Sequence, residues 1–119
     1  MAQVPPEIIE QAQRAVEAVK KYGQVVSAYL FGSHAWGTPD EYSDIDIAVF
    51  MKDIDSWNVH RRVSVMADVQ LEAGVDIEVH LFPASKLSNP DPASFSYEII
   101  QKGIPIPEEK ETALSKEQS

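Results

Sequence analysis

Hydrophobic positions along the chain change period several times, and each change marks an element. Pro5 and Pro6 stand where a helix would begin, with Glu7 and Glu10 in its first turn to complement the helix dipole. Ile9, Ala12, Val16 and Val19 then recur at helical spacing, while Glu10, Gln13, Arg14, Glu17 and Lys20 fall on the other side. The spacing predicts an amphipathic helix over 6–22, stopped by Gly23 in a left-handed conformation. VVSAYLF, from Val25 to Phe31, is rich in β-branched and aromatic residues and predicts a strand. Gly32-Ser33 follows, with room for at most a turn of helix beginning at Ser33 before the turn-rich Gly37, Thr38, Pro39 and Asp40.

A second apolar run, Ile45 to Met51, predicts another strand, with Asp44 at its start and Asp46 inside it. Asp53 and Asp55-Ser56 offer N-caps for a helix over roughly 56–72, with Val59, Val63, Met66 and then Val69 or Gln70 along one flank and Gly74 at its end. VDIEVHLF alternates strictly: Val75, Ile77, Val79 and Leu81 face one way, Asp76, Glu78 and His80 the other, and Pro83 closes the strand. A loop over 88–94 leads to a short helix carrying Phe95, Ile99 and Lys102 on one side and ended by Gly103. The order helix, strand, strand, helix, strand, helix implies an α+β, two-layer domain built on a small β-sheet over 1–107, with a frayed or disordered tail over 108–119. The long connection from Gly32 to Asp44 exceeds what a hairpin needs, which favours a functional loop.

Composition narrows the class. The chain has 119 residues, 44% of them apolar and 24% charged, the make-up of one globular domain. The net charge of −9 argues against free nucleic-acid binding and suits divalent cations or a basic protein partner. Absence of cysteine excludes disulfides and thiolate metal sites and fits a reducing cytoplasm. No basic leader or membrane-length apolar run is present, so a cytoplasmic protein is expected.

Burying an unpaired carboxylate in a strand costs several kcal/mol, so Asp44 and Asp46 need a reason. Two apart in a strand, they would emerge on one face about 7 Å apart, where a divalent cation such as magnesium relieves their repulsion. The plainer reading places Asp44 in a turn and Asp46 toward solvent. Gly32-Ser33 after a strand suits close approach of a phosphate. Asp76, with Glu78 beyond it, is the candidate for a further carboxylate if the third strand lies beside the second. His34, His60 and His80 fall on different elements without ligand spacing, which argues against a histidine metal site.

The string GSHAWGTPDEYSDIDIAV resembles the pattern G-S-x-x-x-G, spacer, S-D-x-D-x-x-V of the superfamily that includes DNA polymerase beta and kanamycin nucleotidyltransferase. Over residues 8 to 107, including the closing FSYEIIQKGIPI, the chain resembles a minimal nucleotidyltransferase. That resemblance implies a mixed sheet with flanking helices, ATP or another nucleoside triphosphate as donor, a nucleoside monophosphate such as AMP transferred to a hydroxyl, and two magnesium ions held by three carboxylates. It implies that Gly32 and Ser33 hold the triphosphate and that Asp44, Asp46 and Asp76 are the catalytic, metal-binding carboxylates; whether Asp76 or Glu78, which lies on the same strand face, is the third carboxylate stays open. Relatives often carry basic residues where His34 and Trp36 stand here; Trp36 would instead stack on a base or pack against a partner. The resemblance also implies a HEPN-domain toxin as partner, with this chain as antitoxin, either by attaching AMP to the toxin or as a non-catalytic module that neutralises it by complex formation. Neither a membrane nor direct nucleic-acid binding is expected, and homo- and hetero-oligomers both remain open.

Overall fold

The structure is a computed structural model that describes residues 4–37, 43–89 and 91–107. The expected tail over 108–119 and the centre of the Gly32–Asp44 connection lie outside those residues.

Pro6 sets the first turn of helix α1 (Pro6–Lys20), whose inner face buries Ala12, Ala15, Val16, Ala18 and Val19. Strand β1 (Val25–Phe31) and strand β2 (Ile45–Met51) keep the bounds that the apolar runs imply, joined through a single helical turn, α2 (Ser33–Trp36). Helix α3 (Val59–Ala73) starts later than the sequence suggests, because Asp53 and Ser56 belong to a preceding 3-10 turn at Ile54–Ser56. Its cap is Asn58, whose side chain accepts the Arg61 N–H at 2.8 Å. Its buried stripe is Val65, Val69 and Ala73, while the expected Val59 and Val63 are exposed. Apolar residues line two flanks of this helix, and the later start decides which of them faces inward.

Strand β3 (Ile77–Pro83) begins two residues after the expected Val75, which is 86% exposed, and includes Pro83. A short helix α4 (Ser85–Ser88) leads toward α5 (Phe95–Lys102), capped by Ser94. A fourth strand, β4 (Ile104–Pro105), follows Gly103. It is too short and too proline-rich to show a period-two pattern, yet it pairs antiparallel with Tyr29 and Leu30 and covers that edge of β1.

The sheet order is β3-β2-β1-β4. The β1–β2 pair is antiparallel and the β2–β3 pair parallel, so the sheet is mixed. On one face α1 and α3 pack over Leu30, Ile45, Ile47, Val49, Met51, Ile77 and Val79. The other face carries a smaller cluster, Phe31, Ala48 and Phe50 under Ile99 of α5, with Leu87 of α4 packed against it. Helices therefore cover one face fully and the other only in part, and the uncovered part is where the charged residues of β2 and β3 emerge.

Two glycines expected as helix stops behave differently. Gly74 has φ 130° and ends α3 as anticipated. Gly23 does not have positive φ: α1 ends in right-handed geometry at Lys21, and a Cβ on Gly23 would stand 2.8 Å from Met51 Cε and 3.1 Å from Trp57. Gly23 thus lies close against the Met51 and Trp57 side chains.

Candidate functional site

Strand alternation places the site. Ile45, Ile47, Val49 and Met51 of β2 point into the main core and are almost fully buried. Asp46 therefore emerges on the partly covered face, its side chain 23% exposed. Register sets its neighbours: Phe31, the last residue of β1, stands across from it on one side and Glu78 of β3 on the other.

The turn after β1 is shaped around the Asp46 carboxylate. Gly32 has φ 77° and ψ −154°, a backbone conformation side chains rarely tolerate, and it opens α2. A Cβ at this position would collide with the Asp46 carboxylate. The Gly32 carbonyl accepts the N–H groups of Ala35 and Trp36, each at 3.0 Å, while buried Ala35 anchors the turn to the main core. The Gly-Ser motif and one aspartate of the S-D-x-D motif are thus in contact, although a loop separates them in sequence.

Glu78 and His80 of β3 project on the same face. His80 Nε2 lies 3.4 Å from Asp46 Oδ1 and 3.8 Å from Glu78 Oε1. One potential ligand atom from each of the three residues falls within 4.8 Å of the other two, a spacing from which a metal ion can be held. The Phe31 ring meets the His80 imidazole edge-on at 5.0 Å between centroids. Phe31 also packs against Trp36 at 6.1 Å and Phe95 at 5.5 Å, so an aromatic surface with Trp36 and Phe95 exposed flanks the carboxylates.

The other sequence-derived candidates are not among these three residues. Asp44 is exposed and precedes β2, as in the plainer reading of its motif, and Ser33 begins α2. His34 Nε2 lies 3.4 Å from the Ser43 carbonyl, tying α2 to the residue just before Asp44. Asp76 lies before β3 begins; its carboxylate accepts Gln11 Nε2 at 2.7 Å, and the same nitrogen reaches the Ala73 carbonyl at 2.9 Å. Gln11 therefore fastens α1 to the end of α3 and to the turn before β3, with Asp76 as one of its acceptors, and the carboxylate across from Asp46 is that of Glu78. The Asp76 backbone carbonyl still serves the site's frame by accepting the Ile45 N–H at 2.8 Å.

His80 is the residue that sequence reasoning missed. The three histidines do not converge, as their scatter implies, but one of them joins two carboxylates. Alternation along VDIEVHLF already put Glu78 and His80 on one face; their common partner Asp46 is set by the parallel β2–β3 register, which a single sequence does not encode locally.

Among curated proteins, the chain is similar to a "putative protein adenylyltransferase" of Methanocaldococcus jannaschii, 41% identical over 54 residues. That match spans 44% of this chain and 36% of the relative, so the chain corresponds to about a third of that protein. In fold it resembles a "putative nucleotidyltransferase" from Sulfolobus solfataricus, with 19% identity and a TM-score of 0.60 over 87% of this chain and 82% of that one. A toxin-antitoxin structure with AMP-PNP gives a TM-score of 0.58 at 21% identity, covering 87% of this chain and 78% of that one. The MntA-HepT toxin-antitoxin structure gives 0.53 at 17% identity, covering 87% and 74%. The family model described as "Polymerase beta, Nucleotidyltransferase" matches residues 13–112, most of the chain, and the chain therefore belongs to that family.

Proposed function

We propose that this chain transfers AMP from ATP to a hydroxyl on a protein acceptor, the acceptor oxygen bonding to the α-phosphorus as the bond to pyrophosphate breaks and pyrophosphate leaves. The observation that carries this reading is the apposition of the Gly32 turn and the Asp46 carboxylate, since that glycine's backbone leaves room for the carboxylate and little else. Gly32 and Ser33 would hold the triphosphate through backbone N–H groups and the serine hydroxyl. Asp46 and Glu78, with Asp44 at the mouth of the strand, supply the hard oxygen donors that suit magnesium, and in this reading Glu78 takes the place expected of Asp76. When bound, two magnesium ions would supply charge neutralisation at the attacking and leaving oxygens of an in-line displacement. Trp36 and Phe95 offer the aromatic surface on which the donor base would stack.

The acceptor we propose is a basic helical partner of the HEPN class, with this chain as its antitoxin. The net charge of −9 favours docking onto such a surface, and two of the fold neighbours are toxin-antitoxin complexes. The test combines the purified chain, magnesium, ATP labelled in its α-phosphate and the co-expressed partner. Label is expected on the partner, and Asp46→Asn is expected to reduce transfer about a hundredfold or more while circular dichroism stays unchanged. Neutralisation of the partner by Asp46→Asn as complete as by the wild type, with no label transferred by either, would reduce the chain to a binding module.

A further inference from the structure

We propose that the His80 imidazole is a direct ligand of the cation held at Asp46 and Glu78, giving a mixed nitrogen and oxygen site that prefers a transition-series ion such as Mn2+ to magnesium. The inference deepens the nucleotidyl-transfer reading and rests on it for the presence of a cation.

Three observations carry it. The first is the length of the contacts. His80 Nε2 makes a long hydrogen-bond contact of 3.4 Å with Asp46 Oδ1 and stands 3.8 Å from Glu78 Oε1, so it faces both carboxylates without a tight bond to either. Donors arranged around one ion at about 2.0–2.3 Å stand about 3 Å or more apart. The three side chains thus converge on one small volume, one potential ligand atom of each within 4.8 Å of the other two.

The second is their mounting. Asp46 lies on β2 while Glu78 and His80 lie two residues apart on β3, so all three project from two strands of one parallel pair. The edge-on Phe31 ring restricts how the imidazole turns. The third is chemistry. Imidazole suits the later divalent ions, carboxylate suits manganese and magnesium alike, and magnesium favours oxygen throughout. One histidine with two carboxylates therefore moves the preference toward manganese and its neighbours.

Electron spin-echo envelope modulation of the full chain with one equivalent of Mn2+ tests this. The expected result is a directly bound 14N nucleus that changes to the 15N pattern when the protein carries 15N-histidine. His80→Gln should abolish the coupling and weaken Mn2+ binding about tenfold or more, whereas His34→Gln should keep both. Bound Mn2+ without nitrogen coupling in the wild type, coupling retained in His80→Gln, or no Mn2+ binding would overturn the inference. The isotope substitution in the wild-type chain is decisive even if His80→Gln fails to fold. Label transfer from ATP with magnesium is scored separately: transfer without nitrogen coupling removes this inference alone, and coupling without transfer removes the reaction alone.

Discussion

Gly32 shows how much one residue can decide here. Its positive φ and its contact with Asp46 mean that alanine would have to strain the backbone and displace a carboxylate together. Gly32→Ala is expected to cost about 1–3 kcal/mol in chemical denaturation and to lower AMP transfer by far more than that stability loss explains. A stable, fully active Gly32→Ala protein would remove the turn from the site. The two motif halves were legible as residues because a glycine after a strand and a carboxylate inside one both break local rules. Asp76 and Glu78 were not separable in that way. Both are acidic and both occupy even positions of one alternating run, and only the later start of β3 turns the first toward Gln11 and leaves the second beside Asp46.

At the scale of elements, β1, β2 and α1 could be read from sequence because each carries one unambiguous period. Helix α3 carries two apolar flanks, so its phase depended on the cap, and the cap was hidden behind the 3-10 turn at Ile54–Ser56. Substitutions report that phase directly. Val69→Ala is expected to cost about 2 kcal/mol by leaving a cavity under α3, while Val63→Ser should stay within about 0.5 kcal/mol of the wild type, both read from urea midpoints. Equal losses at the two positions would contradict this packing of α3. Strand β4 escaped notice because two residues cannot show periodicity; it is specified by what it covers, the edge of β1 at Tyr29 and Leu30.

For the whole molecule, the sheet order β3-β2-β1-β4 explains why charge collects where it does. The central strands bury one face under α1 and α3, while the other face carries a smaller cluster under α5 and leaves Asp46, Glu78 and His80 partly exposed. That arrangement depends on pairing between segments far apart in sequence, so the fold class was legible early while the composition of the site was not. The fold closes at its C-terminal side through Ile106 N–H to the Ala28 carbonyl at 2.9 Å and Gln13 Nε2 to the Pro107 carbonyl at 3.0 Å. A chain ending at Lys102 is therefore expected to lose the β1 edge and melt markedly lower than the full chain. Equal melting temperatures for the two would show that β4 contributes nothing.

In the proposed reaction the catalytic carboxylates meet across the β2–β3 pair at Asp46 and Glu78, while Asp76 accepts the Gln11 side chain of α1. Transfer of labelled AMP by Glu78→Gln and Asp76→Asn, compared at equal folded concentration, tests it most directly. The expected result is a loss of about a hundredfold or more in Glu78→Gln and near wild-type transfer in Asp76→Asn, whose amide oxygen can still accept the Gln11 N–H. Abolished transfer in a fully folded Asp76→Asn, with Glu78→Gln active, would contradict it.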